Sequence, residues 1–573
     1  MRHRLAVVIL LVLVGTALGC AAQTTPAAPE IPAPRPLAHR WLFVFRSHNQ
    51  PGAVEKTLAL LPRAKAAGYN AIVLSDGGLN HLDLMSQAYR DNILRIQAET
   101  YKLGMEFIPI VYAMAWSNSL LMYDKNLAEG LPVKGARYVV GKGALALAPE
   151  TPVSLPNGGF EDVTNDAPAG WTVPNTPAQT AQLDDQVHHS GARALRVRSG
   201  QGSVTQTVAV RPFHLYHLSL WVKTQDLTRP RIRIGVRAAE GTVPRRTLNY
   251  YTPAFAKTQD WTRYDFTFNS LEAERVDISL RSGGEGAAWF DDVALEETGL
   301  VNVLRRPGTP VTLKGEDGAV YEEGKDFEAI RDPLLEPEDS YHTPPTVKLT
   351  ASSRLKEGTP VRLSYYHSVV INEGQVCACL SEPKLYQLLR SEAKQVNDLF
   401  HPTAFFMQHD EIRTANWDEA CQKRHLTPGQ MLADNVKQCV QMLKDLNPKA
   451  KIWVWSDMFD PMHNAGPKDA YYFVNGDWQG GWEGLPAEVG IVNWAGHLQG
   501  RNAKWFADRG HEQILSGYYD HDDTGRGFAG WLANTRDVPR VTGAMYTSWL
   551  DKYDAIEAWA NAAWGGAGKT AQK

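Results

Sequence analysis

Cysteine is scarce, with five in 573 residues. There is no CxxC pair, and no histidine stands at zinc-site spacing from Cys377, Cys379, Cys421 or Cys439, so a metal–thiolate site is not expected. An exported chain so poor in cysteine is held by its core rather than by disulfides. Charge excess is lacking too. The net charge of -4 excludes broad electrostatic affinity for nucleic acid. The apolar run at the N-terminus is too short, and wrongly flanked, for a membrane span.

That run, "MRHRLAVVILLVLVGTALGCAAQ", reads instead as an export signal over 1–20: two arginines, an apolar stretch, then small residues. Cys20 stands where a bacterial lipoprotein signal places its acylated cysteine. Two readings stand, a lipid anchor on Cys20 facing outside the cytoplasm, or plain secretion. Residues 21–35, rich in Pro, Ala and Thr, predict an extended tether. Hydrophobic content of 43% and charged content of 21% are those of a folded chain long enough for two or three domains. The 17 tryptophans exceed what chance use would supply, and their flat apolar faces suit sugar rings as well as cores.

Apolar runs "WLFVFRS" (41–47), "NAIVLSD" (70–76) and "EFIPIVYAMAW" (106–116) alternate with stretches of helical periodicity. This βα rhythm breaks at about 150. Short alternating strands follow to 298, predicting a β-sandwich, and 299–370 reads as a second β-rich segment, a spacer or a rim for the site. The rhythm resumes with "TAFFMQH" (403–409), "KIWVWSD" (451–457), "EVGIVNWAG" (488–496), "EQILSGYYD" (512–520) and "VTGAMYTSWLD" (541–551). Three strands before the break and five after it predict an α/β chain. The expected fold is a (β/α)8 TIM barrel in two parts, 36–149 and 371–573, interrupted after its third strand by a jelly-roll sandwich (150–298) and the small β-rich segment (299–370).

Functional residues of such barrels gather at the C-terminal ends of the strands. Those ends carry Arg46, Asp76, Trp116, His409, Asp410, Glu411, Trp455, Asp457, Trp494, Tyr518, Tyr519, Asp520, Trp549 and Asp551. Acids and aromatics therefore converge on one mouth, the make-up of a glycan-processing site. Asp410 and Glu411 are neighbours in sequence, so at a strand end their side chains diverge and cannot flank one bond as the usual acid–nucleophile pair. Glu411 as proton donor and Asp410 as a holder of the substrate is the division that remains. Their closeness raises one pKa and favours a protonated acid near neutral pH. His409 reads equally as a packed histidine or a sugar contact, and "YYFVNGDWQGGWEG" (471–484) as a mobile lid or a packed rim.

Asp410-Glu411 after an apolar strand, with Trp417 beyond, resembles the Asp-Glu…Trp motif of glycoside hydrolase family 20, the β-N-acetylhexosaminidases. The resemblance implies an exo-acting, retaining hydrolase of β-linked 2-acetamido sugars in which the substrate's own acetamido oxygen is the nucleophile. Glu411 would be the acid/base and Asp410 would orient the acetamido group. Arg46 would grip sugar hydroxyls, Tyr518 or Tyr519 would bond the acetamido oxygen, and Trp455, Trp494 and Trp549 would wall its pocket. No cofactor is implied for catalysis. Two departures bear on the substrate: Gln408-His409 stands where the family has Gly-Gly, and Trp549-Leu550-Asp551 where it has Trp-Gly-Glu. A glycosidase on other sugars, with Asp457 or Asp551 as nucleophile or base, is the alternative. A non-catalytic surface glycan-binding lipoprotein is a further one.

"NGGFED" (157–162), "LSLWVKT" and "AAWFDDVAL" resemble the carbohydrate-binding modules of families 4, 9 and 22. This implies an oligo- or polysaccharide partner and a structural calcium held by Glu161 and Asp292, both hard oxygen ligands. Trp221 and Trp261 read as core or as sugar platforms.

Overall fold

The computed structural model describes residues 37–173, 181–198, 203–228, 232–242, 244–283, 285–372, 374–498, 500–517, 520 and 526–565. Eight parallel strands close a barrel: β1 (His39–Phe45), β2 (Ala71–Ser75), β3 (Glu106–Val111), β4 (Ala404–Met407), β5 (Lys451–Trp455), β6 (Gly490–Asn493), β7 (Gln513–Gly517) and β8 (Val541–Tyr546). The strands are near-continuous apolar runs because both faces are covered, by barrel interior on one side and helices on the other. Closure is between β1 and β8, with His39 opposite Gly543. A Cβ at Gly543 would lie 2.5 Å from that of His39, so only glycine lets the closing strands approach.

Helices α1 (Ala53–Ala66), α2 (Gln87–Lys102), α3 (Pro383–Phe400) and α4 (Pro428–Leu446) pack on the outside of the first half of the barrel. Two of them start at side-chain caps. Thr427 and Gln430 form a capping box on α4, with Pro428 at its first position, and Ser86 caps α2 through the Tyr89 N–H. Between β5 and β6 the described residues form no α-helix, in contrast to the expected strict alternation. Residues 471–484 fill that place. Trp478 is fully buried, Phe473–Val474 pairs with Thr414–Ala415, and Gly484 lies so close to α4 that a Cβ would meet the Ala433 carbonyl at 1.9 Å. The stretch is a packed rim, not a mobile lid. Its glycines allow close approach to α4 where a helix would not fit.

Between β3 and β4 lie the β-rich parts. A three-stranded sheet (Val204–Ala209, Arg275–Arg281, Arg233–Ala238) faces a five-stranded one (Gln259–Asn269, Leu215–Gln225, Ala287–Thr298, Ala194–Arg198, Ala181–Asp184) over its own apolar core. A six-stranded sheet joins Thr312–Gly315 and Pro360–His367 to Leu131–Gly141 and Ala144–Leu147. Residues 131–147, expected in the first barrel part, thus belong to the β-rich segment. Their burial alternates from Gly135 onward, the period of a strand on a half-buried sheet. The sandwich is not independent of the barrel either. Its core takes in Trp417 and Phe473, and the Arg246 guanidinium donates to the carbonyls of Tyr472 and Val474.

Candidate active site

Asp410, Glu411, Trp455, Trp494 and Trp549 line one cavity of about 180 Å³ at the C-terminal mouth of the barrel. The strands explain the convergence. β4 and β5 end at Met407 and Trp455, β6 at Asn493 and β8 at Tyr546, so the following residues all rim the same opening. Glu411 has φ of 48°, a left-handed conformation uncommon for a side chain of this size. That turn overcomes the divergence expected of adjacent residues and lets both carboxylates reach one cavity. It is held by Asp457, whose Oδ2 accepts the Glu411 N–H at 2.8 Å.

Asp457 is fully buried and accepts two further bonds, from Asn464 Nδ2 at 2.8 Å and Trp494 Nε1 at 3.1 Å. One carboxylate thereby fixes the Glu411 turn and one wall of the cavity. Among the described residues, Arg413 is the cation that pairs with Glu411. It pairs with Glu411 Oε2 at 2.5 Å, donates to Gln375 Oε1 at 2.5 Å and lies 4.8 Å from the Tyr472 ring centroid. Three carboxylates against one guanidinium raise proton affinity. Burial, then the neighbouring Asp457 and Glu411, push the Asp410 carboxyl well above the usual range. Burial raises Glu411 as well, with Arg413 opposing and Asp457 adding to the rise.

The aromatic wall is a continuous stack of edge contacts. Trp549 meets Phe43 at 4.9 Å and Phe45 at 5.1 Å, while Trp455 meets Phe406 at 4.9 Å and Phe43 at 5.6 Å. The buried Nε1–H of Trp455 has no acceptor among the described residues. The His463 ring stands 4.4 Å from Trp494, with its pKa pushed down to about 4 by burial and by nearby His497 and Lys468.

Other candidate residues stand elsewhere. Asp76 is buried behind the rim, where it accepts from His48 N–H and is bonded by His48 Nδ1, both at 2.8 Å, and caps the Gly78 N–H. It is a structural anchor rather than a sugar ligand, because its oxygens are already occupied. His409 is fully buried, bonded through Nε2 to Asn435 Oδ1, with its pKa pushed down to about 4 by burial. It is a core histidine, since the chain turns outward only after it. Trp417 donates to the Phe473 carbonyl within the sandwich–barrel seam, away from the cavity. Arg46 and Asp551 pair with each other, Nε to Oδ1 at 2.9 Å, outside the five lining residues. Asp520 accepts from Ser548 Oγ at 2.5 Å and Trp549 N–H at 2.7 Å, and so positions Trp549. Tyr518 and Tyr519 lie outside the described residues, as does Cys20.

In the sandwich, Glu161 Oε1 accepts from Ala192 N–H at 2.8 Å, and Asp292 is bonded by Ser190 Oγ and by His189 Nδ1. Both side chains come within 4 Å of where a Cβ on Gly159 would stand, and each carboxylate is already engaged by protein donors. Trp221 stacks on His189 at 3.8 Å, and both Trp221 and Trp261 are half-buried rather than core. Sequence reasoning missed Arg413, Gln375 and Asn464, and named Tyr472 only as part of the 471–484 stretch. Arg413 was within reach, being the first cation after the two acids. The others come from distant loops and have no local signature.

Residues 154–287 match the family described as "Carbohydrate binding domain", so a saccharide is a ligand class of this part of the chain. No curated protein matches the chain. Among solved structures, a chitobiase from Flavobacterium johnsoniae is similar over 93% of this chain and 48% of its own, at 10% identity and a TM-score of 0.38. A rhamnosidase from Novosphingobium sp. PP1Y is similar over 92% of this chain and 56% of its own, at 10% identity and a TM-score of 0.30. The chain thus spans about half the length of these two enzymes. A xylan-binding domain from Paenibacillus barcinonensis aligns over 24% of this chain and 91% of its own, at 16% identity and a TM-score of 0.20.

Proposed function

We propose that this protein is an exported glycoside hydrolase that removes terminal β-linked 2-acetamido sugars with retention, using the substrate's acetamido oxygen as nucleophile. The observation that carries the reading is the single cavity shared by Asp410, Glu411 and three tryptophans. At about 180 Å³ it is smaller than the roughly 300–1,000 Å³ of sites for drug-sized ligands, and suits one sugar ring rather than a chain. Glu411, whose proton affinity is raised by burial, protonates the leaving oxygen and later activates water. Asp410 holds the acetamido N–H and stabilises the positive charge that grows as the ring closes. The tryptophans exclude water and pack the acetamido methyl. Arg413 supports Glu411 and prevents it from becoming an acid too weak to ionise in the second step.

Both alternative nucleophiles are engaged. Asp457 holds three donors and Asp551 is paired with Arg46. This supports substrate assistance over a second protein carboxylate. The test is a panel of aryl β-glycosides with and without the 2-acetamido group. Turnover confined to the 2-acetamido members is expected. Equal turnover of the 2-hydroxy members would overturn the reading.

A further inference from the structure

Four buried side chains outside the cavity form a second constellation. Glu129, Cys379, Asp418 and Cys421 each offer an oxygen or sulfur, and these atoms all lie within 4.8 Å of one another. Cys379 Sγ is 3.4 Å from Cys421 Sγ and 3.5 Å from Asp418 Oδ1, and Cys421 Sγ is 3.4 Å from Glu129 Oε2. Zinc bonds of about 2.3 Å to sulfur and about 2.0–2.2 Å to oxygen set tetrahedron edges of roughly 3.4–3.8 Å. The three measured edges fall at or close to that range. We propose that Glu129, Cys379, Asp418 and Cys421 bind one structural Zn²⁺.

The surroundings suit a bound cation. The second oxygen of each carboxylate is already fixed. Glu129 Oε1 accepts from the N–H groups of Trp417 and Asp418, and Asp418 Oδ2 pairs with Arg306 at 2.6 Å. These contacts orient the ligand oxygens toward the sulfurs, as outer-shell bonds do in metal sites. Arg306, which also pairs with Glu382 at 2.6 Å, places a positive charge beside the anionic Cys₂–Asp–Glu set. A Cys379–Cys421 disulfide fits less well. Its sulfurs would carry no proton, so the buried Glu129 Oε2 facing Cys421 would lose its partner, while Asp418 Oδ1 would keep the Cys421 N–H.

The position gives the ion a task. Glu129 and Cys379 lie on the chain segments that leave and rejoin the barrel, bridged at Ala128 and Ala378, while Asp418 and Cys421 follow the loop of Glu411 and Arg413. One ion would tie all three segments together beneath the catalytic loop. The ligands span residues 129 to 421 and half are carboxylates, so no local spacing announces them.

The full chain, purified without chelator and exchanged from zinc-containing into metal-free buffer, is assayed for bound metal. In parallel it is denatured in iodoacetamide without reductant and mapped for alkylation. One zinc per chain with both Cys379 and Cys421 alkylated is expected. Cys379→Ser and Cys421→Ser should lose the zinc, while Cys439→Ser, which alters a buried thiol on α4, should keep it. Wild-type protein with alkylated thiols and no zinc, or with Cys379 and Cys421 peptides joined by a disulfide, would overturn the assignment whether or not the variants fold.

Discussion

The backbone N–H of Glu411 donates to Oδ2 of Asp457 at 2.8 Å, so the acid after β5 sets the conformation of the acid after β4. Asp457→Asn tests this. Asparagine offers one acceptor oxygen where three donors now converge, and the amide's own hydrogens face them. Loss of a charge-assisted bond of about 1.5–3 kcal/mol predicts a roughly 10–100-fold fall in kcat with little change in KM. Measured steady-state constants near wild type would show that the turn holds itself.

Glu411→Gln removes the proton donor while leaving the size of the side chain. Natural glycans with poor leaving groups should lose about 10²–10⁴-fold in rate, and an activated aryl glycoside considerably less. Equal losses on both substrates would place Glu411 outside proton transfer.

Removal of 154–287 is expected to unfold the barrel mouth rather than leave it intact. Read from sequence alone, the sandwich is self-contained, but its core includes Trp417 and Phe473, and Arg246 bonds the rim carbonyls. Calorimetry of the shortened chain should show a lower Tm or no cooperative transition. A cooperative transition at the wild-type temperature would mean the seam adds no stability.

Glu392 supplies a pH test away from the site. It accepts from Asn80 Nδ2 and Tyr112 N–H, each at 2.7 Å, and burial pushes its pKa from 4.5 up to about 8. A raised carboxyl binds its proton more tightly folded than unfolded. Its contribution is therefore complete below the unfolded value and is lost as pH rises through about 8. The wild type should lose Tm between about pH 4.5 and about pH 8, by an amount equivalent to at most a few kcal/mol. Glu392→Gln should flatten that slope. An unchanged slope would assign it to other groups.

The barrel was legible because each strand is an uninterrupted apolar run ending in polar residues. The converging acids and tryptophans were legible for the same reason, as residues just past those runs. What was hidden depends on partners distant in sequence. Asp76 looks like any strand-end acid until His48 is seen to occupy it. His409 precedes the left-handed turn at Glu411 by two residues and is still fully buried. Residues 471–484 carry the glycine content of a loose loop, yet the glycines there permit contact with α4. Residues 138–141 and 144–147 form a local hairpin, but the strand from 131 finds its other sheet partner at 360–367, too far along the chain for any window of sequence to join them.

Asp410→Asn tests the central claim most directly. Asparagine keeps the shape of the side chain but removes the negative charge that would stabilise a charged bicyclic intermediate. On a 2-acetamido aryl glycoside, kcat should fall by about 10²–10³-fold with KM nearly unchanged. A thiazoline mimic of that intermediate should bind the variant correspondingly more weakly than the wild type. If Asp410→Asn leaves both kcat and the thiazoline inhibition constant at wild-type values, the acetamido group is not the nucleophile in this protein.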